Sequence, residues 1–153
     1  MSAQKGRPKG SAPTRAGRHA RTEFGASRGA EKPVFCFANV IESGCDTRWA
    51  FNPTGEEARE ILSFLRDMGR CTWTEILTMR SGGRPEHHLQ EAETFDADAK
   101  RDFKKAKLDE RFSEEMFRFR LGSRKRLWGF RHEATFHVIW WDPEHKVYST
   151  EPN

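Results

Sequence analysis

Residues 116–133 carry six basic side chains and a single acid, Glu133. Arg118 and Arg120 alternate with apolar residues, which is typical of a strand with one apolar and one polar face. The remaining basic residues lie beyond a break at Gly122-Ser123: Arg124, Lys125, Arg126 and Arg131. Because guanidinium groups bind phosphate oxygens in pairs, this pattern predicts contact with a nucleic-acid backbone. The alternative is a solvated strand face with a charged hairpin tip, which protects a sheet from pairing with other sheets.

The second half of the chain also carries five histidines: His87, His88, His132, His137 and His145. Histidine acts as a general acid or base near neutral pH, and arginine stabilises phosphate charge in a transition state. Together they suit RNA cleavage in which the ribose 2′-hydroxyl is the nucleophile. For His137, inside an apolar strand, a hydrogen-bonded core role is the alternative. A metal site is disfavoured because no standard ligand spacing is present; its ligands would be His88, His137, Asp142 and His145.

Three aromatic residues near the C-terminus offer further contacts to a nucleic acid. Trp140 and Trp141 can stack on a base. Core packing is the favoured alternative, because neighbouring residues of a strand point to opposite faces and at least one ring must then be buried. Tyr148, the only tyrosine, can hydrogen-bond a phosphate or pack at the edge of the sheet.

An antiparallel meander, predicted over residues 117–148, positions these side chains. Apolar and polar residues alternate in its first two strands. The apolar run 134–141 predicts a central strand covered on both faces. Asp142-Pro143-Glu144-His145 predicts a turn, and a short closing strand is expected at 146–148.

The first half of the chain predicts a strand at 33–40 and then two helices. The first helix has Asn52 or Thr54 as its N-cap and ends at Gly69. The second begins with a capping box, Thr72-Trp73-Thr74-Glu75, which explains Glu75 without catalysis.

Residues 86–115 are highly charged and predict a loosely packed connector, with a helix within 96–108. The order of elements predicts an α+β fold, in which the two N-terminal helices pack on one face of the meander.

The charge of the chain is distributed unevenly along its 153 residues. Residues 1–32 contain eight Lys or Arg and two Glu, whereas residues 33–153 contain 19 basic and 21 acidic residues. The first segment has too few apolar residues to form a core and predicts a disordered basic tail. Such a tail favours contact with nucleic acid, or serves only to increase solubility. Residues 33–153 are expected to form one α+β domain.

No apolar stretch approaches the length of a membrane span, and no signal peptide is recognisable. We therefore expect a cytoplasmic protein without membrane contact. The three cysteines lack CxxC spacing, so neither a disulfide framework nor a zinc site is expected.

A helix pair followed by a meander with an R-x-R-L-G-x-R segment, Arg118 to Arg124, resembles the RelE/ParE superfamily of small bacterial toxins. The resemblance spans residues 54–80 and 116–148 and implies a RelE-like fold. It also implies an endoribonuclease that cuts RNA on the ribosome or in free message without metal or other cofactor, and a cognate antitoxin as partner. Three segments, TWTEI, FRFRL and FHVIWWDPEH, are further similar to a group of small bacterial and phage-borne proteins without assigned function.

The residues and the resemblance together define a predicted site. The expected catalytic residues are Arg120, Arg126, His137 and His145. The expected substrate-binding residues are Arg118, Arg124, Lys125, Arg131 and Tyr148. The alternative is a non-catalytic accessory module, of bacterial or phage origin, that binds nucleic acid and a protein partner.

Overall fold

The computed structural model describes residues 29–148. Residues 1–28 of the predicted basic tail therefore lie outside the described residues. The body of the fold begins slightly earlier than expected, because the carbonyl oxygen of Glu31 accepts a hydrogen bond of 2.9 Å from the backbone N–H of Trp73.

A five-stranded sheet forms the centre of the fold. Its strands are β1 (Val34–Cys36), β4 (His87–Glu91), β5 (Glu115–Leu121), β6 (Lys125–His132) and β7 (Thr135–Asp142). They lie in the order β1-β7-β6-β5-β4 across the sheet. β5, β6 and β7 pair antiparallel in succession, which confirms the predicted meander. β1 pairs parallel to β7 at one edge, and β4 pairs antiparallel to β5 at the other. A separate small hairpin consists of β2 (Arg80–Ser81) and β3 (Arg84–Pro85).

Two helices, α1 (Gly55–Met68) and α2 (Trp73–Thr78), cover the first face of the sheet. Both begin with a complete capping box. In each, the hydroxyl of the N-cap threonine accepts from the backbone N–H of the glutamate at the third helical position, and the carboxylate of that glutamate accepts from the backbone N–H of the threonine. The pairs are Thr54 with Glu57 and Thr72 with Glu75. The two predicted helices are confirmed, and local chemistry explains where each begins. Their apolar side chains pack against alternate residues of β5 and β7, including Phe117 and Phe119.

The second face of the sheet is covered by the segment predicted to be a loose connector. Residues 86–115 supply β4, a 3-10 turn at Ala92–Thr94, α3 (Ala97–Lys105) and α4 (Leu108–Arg111). The helix within 96–108 is confirmed, but the expectation of loose packing is wrong. Phe95, Phe103 and Leu108 are buried in a core that includes Trp128 and Trp140. These three residues lie in or beside separate elements and meet only through the packing of the helices, while most of the charged residues around them remain at the surface.

The chain after β7 forms a turn rather than the predicted closing strand. The carboxylate of Asp142 accepts hydrogen bonds from the backbone N–H groups of Lys146, at 2.7 Å, and Val147, at 3.0 Å. These backbone donors are consequently turned inward and unavailable for pairing with a strand. Among residues 29–148, no helix is long and apolar enough to cross a membrane.

Candidate nucleic-acid interface

The register of β5 and β6 decides which basic side chains lie together. Arg120 is opposite Arg126, and Arg118 is opposite Trp128. Since directly opposed residues point to the same face, Arg118, Arg120 and Arg126 share the second face of the sheet. The alternation of the sequence predicts this for Arg118 and Arg120. Arg118 and Arg126 are only 3 % and 1 % exposed, so they lie beneath the surface.

These two arginines belong to what we call the buried cluster: Arg118, Arg126, Asp142, His145 and Tyr148. The guanidinium carbon of Arg118 lies 5.5 Å from the ring centroid of Trp128 and 5.8 Å from that of Tyr148. Arg126 lies opposite Asp142 in the β6–β7 register and donates to the carbonyl oxygen of Lys125 at 3.0 Å. His145 is 4 % exposed and lies in the turn that Asp142 organises.

Asp142 is the acid of the buried cluster. One carboxylate oxygen accepts from Trp128 Nε1 at 3.1 Å and from the backbone N–H of Val147, and the other accepts from the backbone of Lys146. Burial raises the pKa of Asp142, whereas these donors and the charge of Arg126 act in the opposite direction. The carboxylate therefore serves as a structural centre that joins β6, β7 and the turn after them.

A second group of arginines lies at the surface beside the buried cluster. We call it the basic end, and it comprises Arg80, Arg84, Arg120 and Arg124. Arg120 connects the two hairpins of this group, because its Nη2 donates to the carbonyl oxygen of Ser81 at 2.9 Å. Arg80, Arg84 and Arg124 are exposed, and Arg124 forms a surface ion pair of 3.0 Å with Glu144. Such exposed guanidinium groups can contact phosphates without any rearrangement of the core.

The predicted site did not include Arg80 and Arg84. The sequence carries a signal for them, since Gly82-Gly83 is a favoured two-residue hairpin connection. Both glycines have positive φ, of 62° and 81°, as such a turn requires.

Two predicted substrate-binding residues lie on the other face of the sheet. Lys125 forms hydrogen bonds of 2.9 and 3.1 Å with the carboxylate of Glu60 on α1. Arg131 lies over the ring of Trp73, at 4.1 Å, and burial lowers its pKa to about 10. The structure therefore separates Lys125 and Arg131 from Arg118, Arg120 and Arg126.

His137 is also separated from the arginines. It lies five residues before Asp142 on β7, which corresponds to about 15 Å along the strand. Arg111 donates to Asn39 Oδ1 at 3.0 Å, so the Asn39 amide nitrogen faces His137 Nδ1 at 3.3 Å. With Nδ1 accepting, the ring proton is on Nε2. Burial and the charge of His132 lower the pKa of His137 and favour this neutral form.

The alternative metal site is not assembled. Its proposed ligands include His137, which is distant from Asp142 and His145. In the part of the chain that the structure describes, no group of three or more His, Cys, Asp or Glu side chains could hold a metal ion.

The tryptophans of β7 are core residues, as the favoured alternative predicts. Trp140 is fully buried on the second face, against Trp49 and Phe95. Trp141 is buried on the first face, where its Nε1 donates to Glu57 at 3.0 Å. Neither ring is available to stack on a base.

The chain was compared with known proteins at the levels of family, sequence and structure. No protein-family model, no curated protein and no solved structure matches it.

Proposed function

We propose that this protein binds RNA through the basic end of its sheet. The observation that carries the proposal is the placement of four arginines on two separate hairpins that the Arg120–Ser81 hydrogen bond joins at one end of the fold. Arginine-rich surfaces of this kind bind phosphate oxygens through paired N–H donors and attract polyanions over several ångströms. Tyr148, an expected substrate-binding residue, lies in the adjacent buried cluster, where its ring contacts the guanidinium group of Arg118.

The RelE-like function adds cleavage to binding. The order of a helix pair followed by a meander supports it, as does the position of Arg120 next to Arg126 and the turn of His145. In this mechanism Arg120 and Arg124 hold the scissile phosphate and Arg118 and Arg126 supply positive charge behind it. His145 acts as acid or base, without metal. A cognate antitoxin would then cover the basic end, and the substrate would be messenger RNA, on the ribosome or free.

A non-catalytic RNA-binding module is the second candidate, and one observation favours it. Arg118, Arg126 and His145 are almost completely covered, whereas Arg80, Arg84 and Arg124 are exposed and can reach a phosphate by surface side-chain movement alone. Binding is therefore the part of the proposal that the geometry supports best, and cleavage requires a separate test.

RNA binding is tested by fluorescence anisotropy with labelled RNA over a range of salt concentrations. Arg124→Ala removes one phosphate contact, so we expect weaker binding and a salt dependence that is less steep by about one unit. Arg120→Ala also removes the hydrogen bond to Ser81 that holds the β2–β3 hairpin, so its effect should be at least as large. Arg66→Ala, which removes an exposed charge from α1, is the matched control. Equal affinities for all three variants and the unmodified protein would contradict the proposal.

Cleavage is tested by inducible expression in a bacterial host, followed by primer-extension mapping of cellular RNA. Growth arrest with discrete new 5′ ends, lost in Arg120→Ala and in His145→Asn, would establish an endoribonuclease. Asparagine is chosen at position 145 because it tolerates the positive φ of 60° there. Normal growth with intact RNA, together with binding in the first experiment, would identify the non-catalytic module.

The N-terminal arm is tested by deletion of residues 1–28, which retains the Glu31–Trp73 backbone bond. A module that binds through its arm loses affinity and salt dependence. A protein that binds through the basic end keeps most of both.

A further inference from the structure

The hairpin of β2 and β3 is a two-stranded ribbon that carries an arginine on each of its faces. Its register pairs Arg80 with Pro85 and Ser81 with Arg84. Opposed residues share a face and consecutive residues alternate, so Arg80 and Arg84 project from opposite faces. Both are exposed, and Arg80 Nη1 donates to the carbonyl oxygen of Gly83 at 3.2 Å, which leaves the remaining N–H groups of its guanidinium at the tip of the ribbon. The Gly82-Gly83 tip adds no side chains that would widen the ribbon.

The ribbon is held to the body of the protein by backbone and side-chain contacts. Arg120 Nη2 donates to the carbonyl oxygen of Ser81, and the backbone N–H of Glu86 donates to the carbonyl oxygen of Met79 at 3.1 Å. The backbone N–H of Arg120 donates in turn to the carbonyl oxygen of Glu86, at 2.9 Å. These contacts fix the base of the ribbon to β5.

The basic end offers no platform for stacking unpaired bases. Among residues 29–148, Phe37 is the only Phe, Trp or Tyr that is exposed, and it follows β1, at the opposite edge of the sheet from β4. Proteins that bind single-stranded nucleic acid usually stack successive bases on aromatic side chains. The arginines of the basic end are consequently suited to the sugar–phosphate backbone.

A ribbon with cations on both faces fits between two backbones, as in a nucleic-acid groove. Two-stranded ribbons enter the major groove of B-form DNA. The major groove of regular A-form RNA is too deep and narrow, whereas bulges and loops disrupt the helix and open it. We propose, on the basis of the RNA binding proposed above, that the substrate is base-paired RNA whose groove is opened by a bulge, with Arg80 and Arg84 contacting phosphates on opposite walls.

The proposal is tested by comparing the affinity of the full chain for four labelled probes. These are a regular RNA duplex, the same duplex interrupted by a short bulge, an unstructured RNA strand and a DNA duplex of the same sequence. We expect the bulged RNA to bind most tightly. Arg80→Ser and Arg84→Ser should each lower its affinity by about three- to tenfold. Arg59→Ser, at an exposed position of α1, should leave it unchanged.

The outcomes separate this proposal from the proposed function. Tightest binding to the unstructured strand, or equal binding to the regular and bulged duplexes, would overturn the groove proposal and retain RNA binding. An effect of only one of the two ribbon arginines would overturn the two-walled contact. Tightest binding to the DNA duplex would overturn both, and so would the absence of binding to every RNA.

Discussion

His87 shows at the scale of one residue how burial controls protonation in this protein. Its ring stacks on Phe117, with centroids 5.2 Å apart, at the boundary between β4 and the first-face core. Burial, and to a smaller extent the charges of His88 and Arg131, lower the pKa of His87 from 6.5 to about 4. The folded protein therefore keeps this ring neutral under conditions in which the unfolded chain protonates it.

This difference predicts a pH dependence of stability. As pH falls from about 6.5 to about 4, the unfolded state gains a proton that the folded state does not. The free energy of unfolding should therefore decrease, with a contribution from His87 of about 1–2 kcal/mol after allowance for the partial exposure of the ring. Urea unfolding at neutral and mildly acidic pH should show a smaller decrease for His87→Leu than for the unmodified protein.

His88→Gln is the comparison variant, because the charge of the exposed His88 contributes only a smaller part of the pKa shift of His87. It should reduce the acid-dependent loss of stability by less than His87→Leu does. Identical profiles for His87→Leu and the unmodified protein would exclude the assigned role of His87.

At the scale of elements, the close pairing of β6 and β7 depends on Gly129. The register of the two strands shifts between Trp128 and Gly129, so that Ile139 is an extra residue on β7. A side chain at position 129 would meet the carbonyl of His137 and, at 2.7 Å, the ring of Phe136. The glycine thus allows β7 to lie close to β6 while Phe136 covers the strand.

Gly129→Ala should consequently destabilise the protein by about 2–4 kcal/mol, because a backbone carbonyl and a buried ring must both move. Gly55→Ala provides the control. Its added methyl meets nothing within 4 Å, and the position opens α1. This control should change stability by less than about 1 kcal/mol, and in the favourable direction. Denaturant unfolding of both variants checks the difference, and equal effects would contradict it.

At the scale of the whole molecule, the sheet is enclosed between two helical layers. Phe117 and Phe119 pack with α1 and α2 on the first face. Phe95 and Phe103 pack with Trp128 and Phe130 on the second. Because β6 and β7 contribute to both cores, the two layers should unfold together.

Phe103→Ala tests whether the second layer contributes to global stability. The side chain is 1 % exposed, so its removal should cost about 3–5 kcal/mol. Fluorescence and circular dichroism should report a single shared transition at lower denaturant concentration. Lys104→Ala, at the adjacent exposed position, should change stability by less than about 0.5 kcal/mol. A loss below about 1 kcal/mol for Phe103→Ala would indicate that residues 86–115 pack loosely after all.

The sequence by itself determined the features that depend on neighbouring residues. The capping box at Thr72 involves atoms within one helical turn, and its spacing identifies it directly. For the first helix the sequence left Asn52 and Thr54 as alternative caps, and the structure selects Thr54. The meander likewise follows from alternation along its first two strands, from the apolar run of the third and from the turn residues between them. Arg118 and Arg120 were placed on one face for the same reason.

Only the tertiary structure decided which distant residues meet. The second layer was missed because Phe95, Phe103 and Leu108 are widely spaced among charges, and their common burial appears only when the helices pack. His137 was grouped with His145 by residue type, but the direction of β7 separates them. Arg80 and Arg84 lie beside Arg120 because Arg120 donates a hydrogen bond to Ser81 of their hairpin, and these two residues are 39 positions apart in the chain. Such long-range contacts follow from the packing of complete elements, which no local pattern encodes.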